Sequence, residues 1–222
     1  MSGDQLDLLF RHDAALIESS VSRVAEKFSM SAALDGSFNV EPSSAGAAEI
    51  ARDVYAFPFL DQRWCNELVR FAELVNAYEQ EKGDMQFAAP EVRLNRLSPV
   101  LAGIFHRYVT TYIAPIVFSA WQIWPGIVHP PFVTRYDPNT QRGLPVHHDN
   151  LSDVTLSVSL NDSYEGGGLY FERQQLEVAR RPIGSALLFP GKVTHRHSAL
   201  DVTGGQRFVL TTWMQHDEPY IT

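Results

Sequence analysis

Two short runs concentrate histidine. His147-His148-Asp149 and His195-Arg196-His197 hold four of the eight histidines in the chain. Imidazole and carboxylate together are the donor set of a non-haem Fe(II) centre, which needs two histidines and one acid on one face of the metal and leaves the other positions open. Residues two apart on a strand point the same way. His147 and Asp149 can therefore supply two of the three ligands from one strand end, and a distant histidine the third. A His-x-Asp by itself carries little weight, because about half an occurrence is expected by chance in a chain of this composition. Taken alone, His147 or His148 reads as a solvated turn residue. A further element strengthens the pattern: Arg207 follows His197 by ten positions, on the last expected strand. A buried guanidinium there can hold a dicarboxylate through its planar fork.

These groups need a scaffold, and from about residue 130 the chain reads as one. Val154, Leu156, Val158 and Leu160 alternate with Thr155, Ser157 and Ser159, a period of two. Leu169–Phe171 follows a Gly166-Gly167-Gly168 turn, and such a turn lets strands approach closely. Ser185–Phe189 runs into Pro190-Gly191, and Arg207–Trp213 closes the series. Short antiparallel strands at this spacing predict a sandwich or small barrel. Helices precede it. One is expected over 62–81 after the turn at Phe57-Pro58-Phe59-Leu60, capped by Asp61, with Cys65, Leu68, Val69, Ala72 and Val75 on one face. Another is expected over 97–113, with Leu97, Leu101, Ile104, Phe105, Tyr108 and Ile113 on one face and Pro115 near its end. Residues 4–28 form an amphipathic pattern, and 29–48 read as a linker broken by Gly36, Pro42 and Gly46. The class is α+β, mainly β. Trp121, Trp124 and Trp213 are expected in the core, Cys65 as a buried thiol, and Arg180-Arg181-Pro182 as a solvated turn. The Asp137–Pro145 loop reads as a strand connection or a lid.

The run FVTRYDPNTQRGLPVHHDNLSDVTLSVSLNDSYEGGGLYFERQ, with GSALLFPGKVTHRHSALDVTGGQRFVLTTWM after it, resembles the catalytic domain of the procollagen lysyl hydroxylases, which are Fe(II)/2-oxoglutarate-dependent dioxygenases. The shared features include Arg-Tyr-x-Pro, His-His-Asp, Leu-Asn at a strand end, Tyr-Glu-Gly-Gly-Gly, Pro-Gly-x-x-Thr-His-x-His and Gly-x-Arg. The resemblance covers roughly residues 53–215, and the prolyl 4-hydroxylases share its core pattern more distantly. It implies a double-stranded β-helix (jelly roll) braced by N-terminal helices. It implies His147, Asp149 and His197 as iron ligands, Arg207 as the partner of the 2-oxoglutarate C5 carboxylate, and Tyr136 as a further hydrogen bond to that cosubstrate. His195 and His148 are then not ligands, because His195 would stand twelve rather than ten positions before Arg207. The implied cofactors are Fe(II) and 2-oxoglutarate, with ascorbate as an optional addition.

At 222 residues the chain accommodates one domain with an arm: 1–50 as helical arm and linker, 51–222 as the dioxygenase domain. The net charge of -8 argues against a general nucleic-acid binder. No apolar run is long enough to span a membrane. A lone cysteine excludes an intramolecular disulfide, and the start of the chain lacks the features of a secretory signal. The expectation is a cytoplasmic enzyme without nucleic-acid or membrane partners, its first helix docked on its own domain or in a homodimer. Its expected activity is hydroxylation of a lysyl (or prolyl) side chain of a polypeptide, with succinate and CO2 as co-products. The alternative is a small-molecule oxygenase acting on a free amino acid or biosynthetic intermediate.

Overall fold

The computed structural model describes residues 47–60, 62–75, 89–97 and 99–216. The helix expected over 4–28, the linker up to residue 46, the cap Asp61 and the end of the 62–81 helix lie outside the described residues.

The period-two run is strand β7 (Val154–Ser159), and it sits inside the large sheet rather than at its edge. That sheet runs β1 (Ala48–Ala51), β2 (Val54–Pro58), β11 (Ser185–Pro190), β7, β14 (Arg207–His216), β5 (Phe132–Tyr136), β3 (Glu91–Arg93), and β4 (Pro125–Val128) pairs with the far end of β14. β1 brackets the boundary expected between residues 50 and 51. A second sheet runs β10 (Leu176–Val178), β9 (Leu169–Phe171), β12 (His197–Ala199), β6 (Leu144–His147); a short ribbon pairs β13 (Val202–Gly205) with β8 (Tyr164–Gly166). All pairings are antiparallel. The two facing sheets are the jelly roll that the resemblance implies.

Alternation on β7 sorts chemistry rather than solvent exposure. All six of its residues are buried. Val154, Leu156 and Val158 join the core under the helices, whereas Thr155 and Ser157 line a cleft between the sheets. β14 divides the same way: Phe208, Leu210 and Met214 face the helices, and Arg207, Val209, Thr211 and Trp213 face the cleft. The helix-side core is closed by α1 (Gln62–Val75) through Trp64, Cys65, Leu68 and Ala72 and by the helical stretch after β3 through Phe105, Tyr108 and Ile113. A second core, with Phe171, Leu187 and Phe189, lies between the sheets.

That helical stretch consists of α2 (Leu94–Leu97), α3 (Pro99–Tyr108), a π turn (Val109–Ile113) and α4 (Ala114–Trp121). It does not stop near Pro115 as the sequence suggests. The π turn breaks the α-helical register, so Pro115 falls in the first turn of α4, where a missing N–H costs nothing. Trp124 and Trp213 depart from expectation, whereas Trp121 packs against the helix-side core. Trp124 is 43% exposed, and Trp213 faces the cleft. Trp121 is half-buried, and its Nε1 donates to Asp53 Oδ1 at 3.0 Å.

Candidate active site

β6 and β12 are antiparallel neighbours in a register that sets His147 opposite His197. Their ring centroids are 4.6 Å apart. Asp149 follows two residues after His147, where the chain leaves the sheet. Its backbone N–H donates to Gly191 O at 2.7 Å, which ties this segment to the end of β11. A side chain at 191 would not fit, because its Cβ would stand 2.5 Å from Ser152 O and 2.9 Å from Thr155 Oγ1. One nitrogen of His147, one of His197 and one oxygen of Asp149 all lie within 4.8 Å of one another. Among the described residues this is the one such cluster of metal-ligating side chains.

Backbone carbonyls set the histidine tautomers. His147 Nδ1 donates to Pro145 O at 2.8 Å and His197 Nδ1 to His195 O at 2.9 Å. A carbonyl only accepts, so each Nδ1 carries a proton and Nε2 is the nitrogen each ring turns to the cluster. Those Nε2 atoms face the carboxylate, His147 at 3.8 Å from Asp149 Oδ1 and His197 at 3.9 Å from Oδ2. Burial holds the His197 imidazole below the ordinary histidine range against the opposing pull of Asp149, so it is neutral at pH 7, as a ligand must be. Thr155 donates its hydroxyl to Asp149 Oδ2 at 2.6 Å and fixes the carboxylate. Two imidazoles and one carboxylate at the wall of an open cleft are a donor set that fits Fe(II).

The other two histidines behave differently. His195 is buried, its Nε2 donating to Arg52 O at 3.0 Å and its Nδ1 accepting from Thr194 Oγ1 at 3.0 Å. Both nitrogens are engaged away from the cluster. His148 is half-buried at the cleft wall.

At the inner end of β14, Arg207 is 2% exposed, and its Nε and Nη1 are buried without a hydrogen-bond partner. Asn161 locates it from both sides: its Oδ1 accepts from Phe208 N at 2.8 Å and its Nδ2 donates to Gln206 O at 2.7 Å. Gly167 (φ +66) leaves the room, since a Cβ there would stand 3.1 Å from Arg207 Cδ. The guanidinium lies 5.2 Å over the Tyr136 ring. Burial pushes the Tyr136 hydroxyl up to about 12 against the pull of Arg207, so it stays a donor. An unpartnered buried guanidinium beside a phenol is a receptor for a carboxylate, and it fits the distal end of 2-oxoglutarate. The cleft joining this end to the histidines has a volume of about 980 Å³.

Sequence reasoning passed over several groups. Thr155 was visible as the polar phase of β7, but its partner Asp149 was not. Arg181, expected in a solvated turn, is buried. Trp213, Glu91 and Arg93 line the cleft, the last two joined at 2.6 Å.

Residues 131–215 match the family model of the 2OG-Fe(II) oxygenase superfamily. The multifunctional procollagen lysine hydroxylase and glycosyltransferase of Rattus norvegicus is 34% identical over 199 residues, which are 83% of this chain and 25% of that protein. Its Caenorhabditis elegans counterpart is 28% identical over 176 residues, 73% of this chain and 24% of that protein. The chain thus spans about a quarter of the length of these curated relatives. Among solved structures, a Trichoplax adhaerens prolyl hydroxylase in complex with a hypoxia inducible factor peptide fragment aligns with a TM-score of 0.61 at 15% identity, over 74% of this chain and 84% of that one. A collagen prolyl hydroxylase of Paramecium Bursaria Chlorella virus-1 in its 2OG complex aligns at 0.56 and 16%, over 74% and 97%. At these identities the structures share the fold.

Proposed function

The chain carries a 2OG-Fe(II) oxygenase domain homologous to the procollagen lysine hydroxylases, and we propose that it hydroxylates a lysyl (or prolyl) side chain of a polypeptide. The observation that carries this reading is one cleft holding both a His147–Asp149–His197 donor cluster and the unpartnered guanidinium of Arg207. The substrate class rests on the relatives, which are named as lysine hydroxylases.

In this reading His147 Nε2, His197 Nε2 and the Asp149 carboxylate hold the iron, and Arg207 and Tyr136 hold the distal carboxylate of 2-oxoglutarate. The bound pair supplies hydroxylation of a C–H bond coupled to oxidative decarboxylation of 2-oxoglutarate to succinate and carbon dioxide. The protein does the positioning. Pro145 O and His195 O keep both Nε2 lone pairs aimed inward. Thr155 holds the carboxylate plane. Asn161 sets the reach of Arg207, and Tyr136 donates rather than ionises. Phe171 and Phe189 pack on His197 with centroids at 5.7 and 5.0 Å, which dries that side of the cluster.

The test is anaerobic reconstitution with Fe(II) and 2-oxoglutarate, followed by air. Succinate should form, and lysine- or proline-containing peptides should gain the mass of one oxygen atom. Oxygen gain on free amino acids alone would replace the polypeptide reading with the small-molecule one. A protein that binds neither iron nor 2-oxoglutarate would overturn both.

A further inference from the structure

Arg181 stands just before β11 and is buried, at 9% exposure. Its Nη1 donates to Ser157 O at 3.1 Å and Ser185 O at 3.3 Å, bridging β7 and β11. Its Nη2 is buried with no partner, as are Nε and Nη1 of Arg207. Arginine ordinarily lays its stem on the protein and leaves its charged head in water. Here the head is drawn in against the backbone of β7 and β11, behind the wall of the cleft that Arg207 also lines. Burial, and then the charge of Arg207, push the Arg181 guanidinium down to about 9. The geometry links them through the cleft wall: Ser157, whose carbonyl Arg181 holds, lines the cleft together with Arg207. Among the described residues neither guanidinium has a carboxylate at ion-pair distance.

Two buried like charges without a counter-ion are unfavourable, and a buried charge persists where something compensates it. We propose that Arg181 is a positioning residue for the cosubstrate: a second, buried positive charge behind the Ser157 wall of the cleft, whose missing counter-charge is the distal carboxylate of 2-oxoglutarate. This rests on the reading of the cleft given above. Arg181 does not line the cleft. It therefore acts through its field, drawing the anion to the inner end and holding the Ser157 segment that forms the wall there.

The experiment compares dissociation constants, by calorimetry on Mn(II)-loaded protein, for 2-oxoglutarate and for 2-oxopentanoate. The second ligand has a methyl group in place of the distal carboxylate. The ratio of the 2-oxopentanoate constant to the 2-oxoglutarate constant isolates the carboxylate and cancels general damage to the site. Arg181→Gln keeps a donor for the backbone carbonyls and removes the charge; Arg181→Lys keeps the charge. The expected result is a ratio that falls roughly tenfold or more in Arg181→Gln, the scale of one unit charge near an anion in a partly polar interior. In Arg181→Lys it should stay within about threefold of wild type, because the charge at this position is retained. A wild-type ratio in Arg181→Gln, or equal losses in both variants, would reduce Arg181 to a clamp on the sheet and overturn the inference. If Arg181→Gln does not fold, a fall in the Lys variant to the ratio of Arg207→Gln overturns it, and a retained ratio supports it. A ratio near one in wild-type protein would instead sink the 2-oxoglutarate reading itself.

Discussion

Arg207 is where a single atom group decides most. Its guanidinium is withdrawn from water and two of its nitrogens await an acceptor. Removing one partner of a buried charged pair costs about 3–5 kcal/mol. Arg207→Ala should therefore raise the 2-oxoglutarate requirement by roughly two to four orders of magnitude while metal still binds, read as the cosubstrate dependence of succinate formation. An unchanged dependence would remove Arg207 from the site. The two histidines of the His-x-His run separate cleanly in a metal titration. His197→Ala should abolish tight Mn(II) or Fe(II) binding, whereas His195→Ala should retain it, since both His195 nitrogens bond elsewhere. The reverse outcome would exchange their roles. Thr155→Val keeps the side-chain shape and deletes the donor to Asp149. It should weaken metal affinity by about 10–100-fold, the usual effect of losing a group that orients a ligand, with little change in fold.

Elements matter here as rulers. β7 and β14 are paired from Met214↔Val154 to Val209↔Ser159, and the same register continued by two residues sets Arg207 opposite Asn161. The Asn161 side chain takes over where the ladder stops, bonding on both sides of Arg207. Asn161→Ala strands a backbone donor and acceptor and should cost about 1–3 kcal/mol of stability. It should also weaken 2-oxoglutarate binding while metal affinity holds; equal losses in both would make Asn161 a general structural residue. The Asp137–Pro145 connection is pinned rather than loose. Its turn is closed by Thr140 N to Asp137 O at 3.1 Å, Asp137 Oδ2 accepts from Gln206 Nε2 at 2.7 Å, and Arg142 O accepts from Val202 N at 3.0 Å. Those bonds suit a strand connection. The helices act on the other face, where Trp64, Phe105 and Ile113 cover the sheet and leave the inner face to the chemistry.

The described residues form two cores with a polar cleft between the sheets, and the cleft holds the buried guanidinium of Arg207 with unpartnered nitrogens. Ligands that supply the missing anions should therefore stabilise the fold. Mn(II) with 2-oxoglutarate at about 100 times its dissociation constant should add about 2.7 kcal/mol, raising Tm by roughly 5–10 °C for a domain of this size. Chelation should reverse the gain, and a Tm indifferent to both would contradict the site. Much of this was legible in the chain. The His-x-Asp spacing, the ten positions from His197 to Arg207 and the period of two through β7 are short-range facts, and strand geometry converts them directly into a shared face. The structure brings all of them to one cleft. Other features depended on partners far away in sequence. That β6 lies against β12, so that His147 faces His197, is set by long-range pairing. That Arg181 is buried, rather than solvated, depends on the carbonyl of Ser157, far from it in the chain. Trp213 lines the cleft because β14 keeps strict alternation from Arg207, six residues earlier; its apolar character alone suggested the core. Local spacing thus determined which residues can act together, while packing of the two sheets decided which charges lose their water, because desolvation depends on everything that surrounds a group and not on its neighbours in the chain.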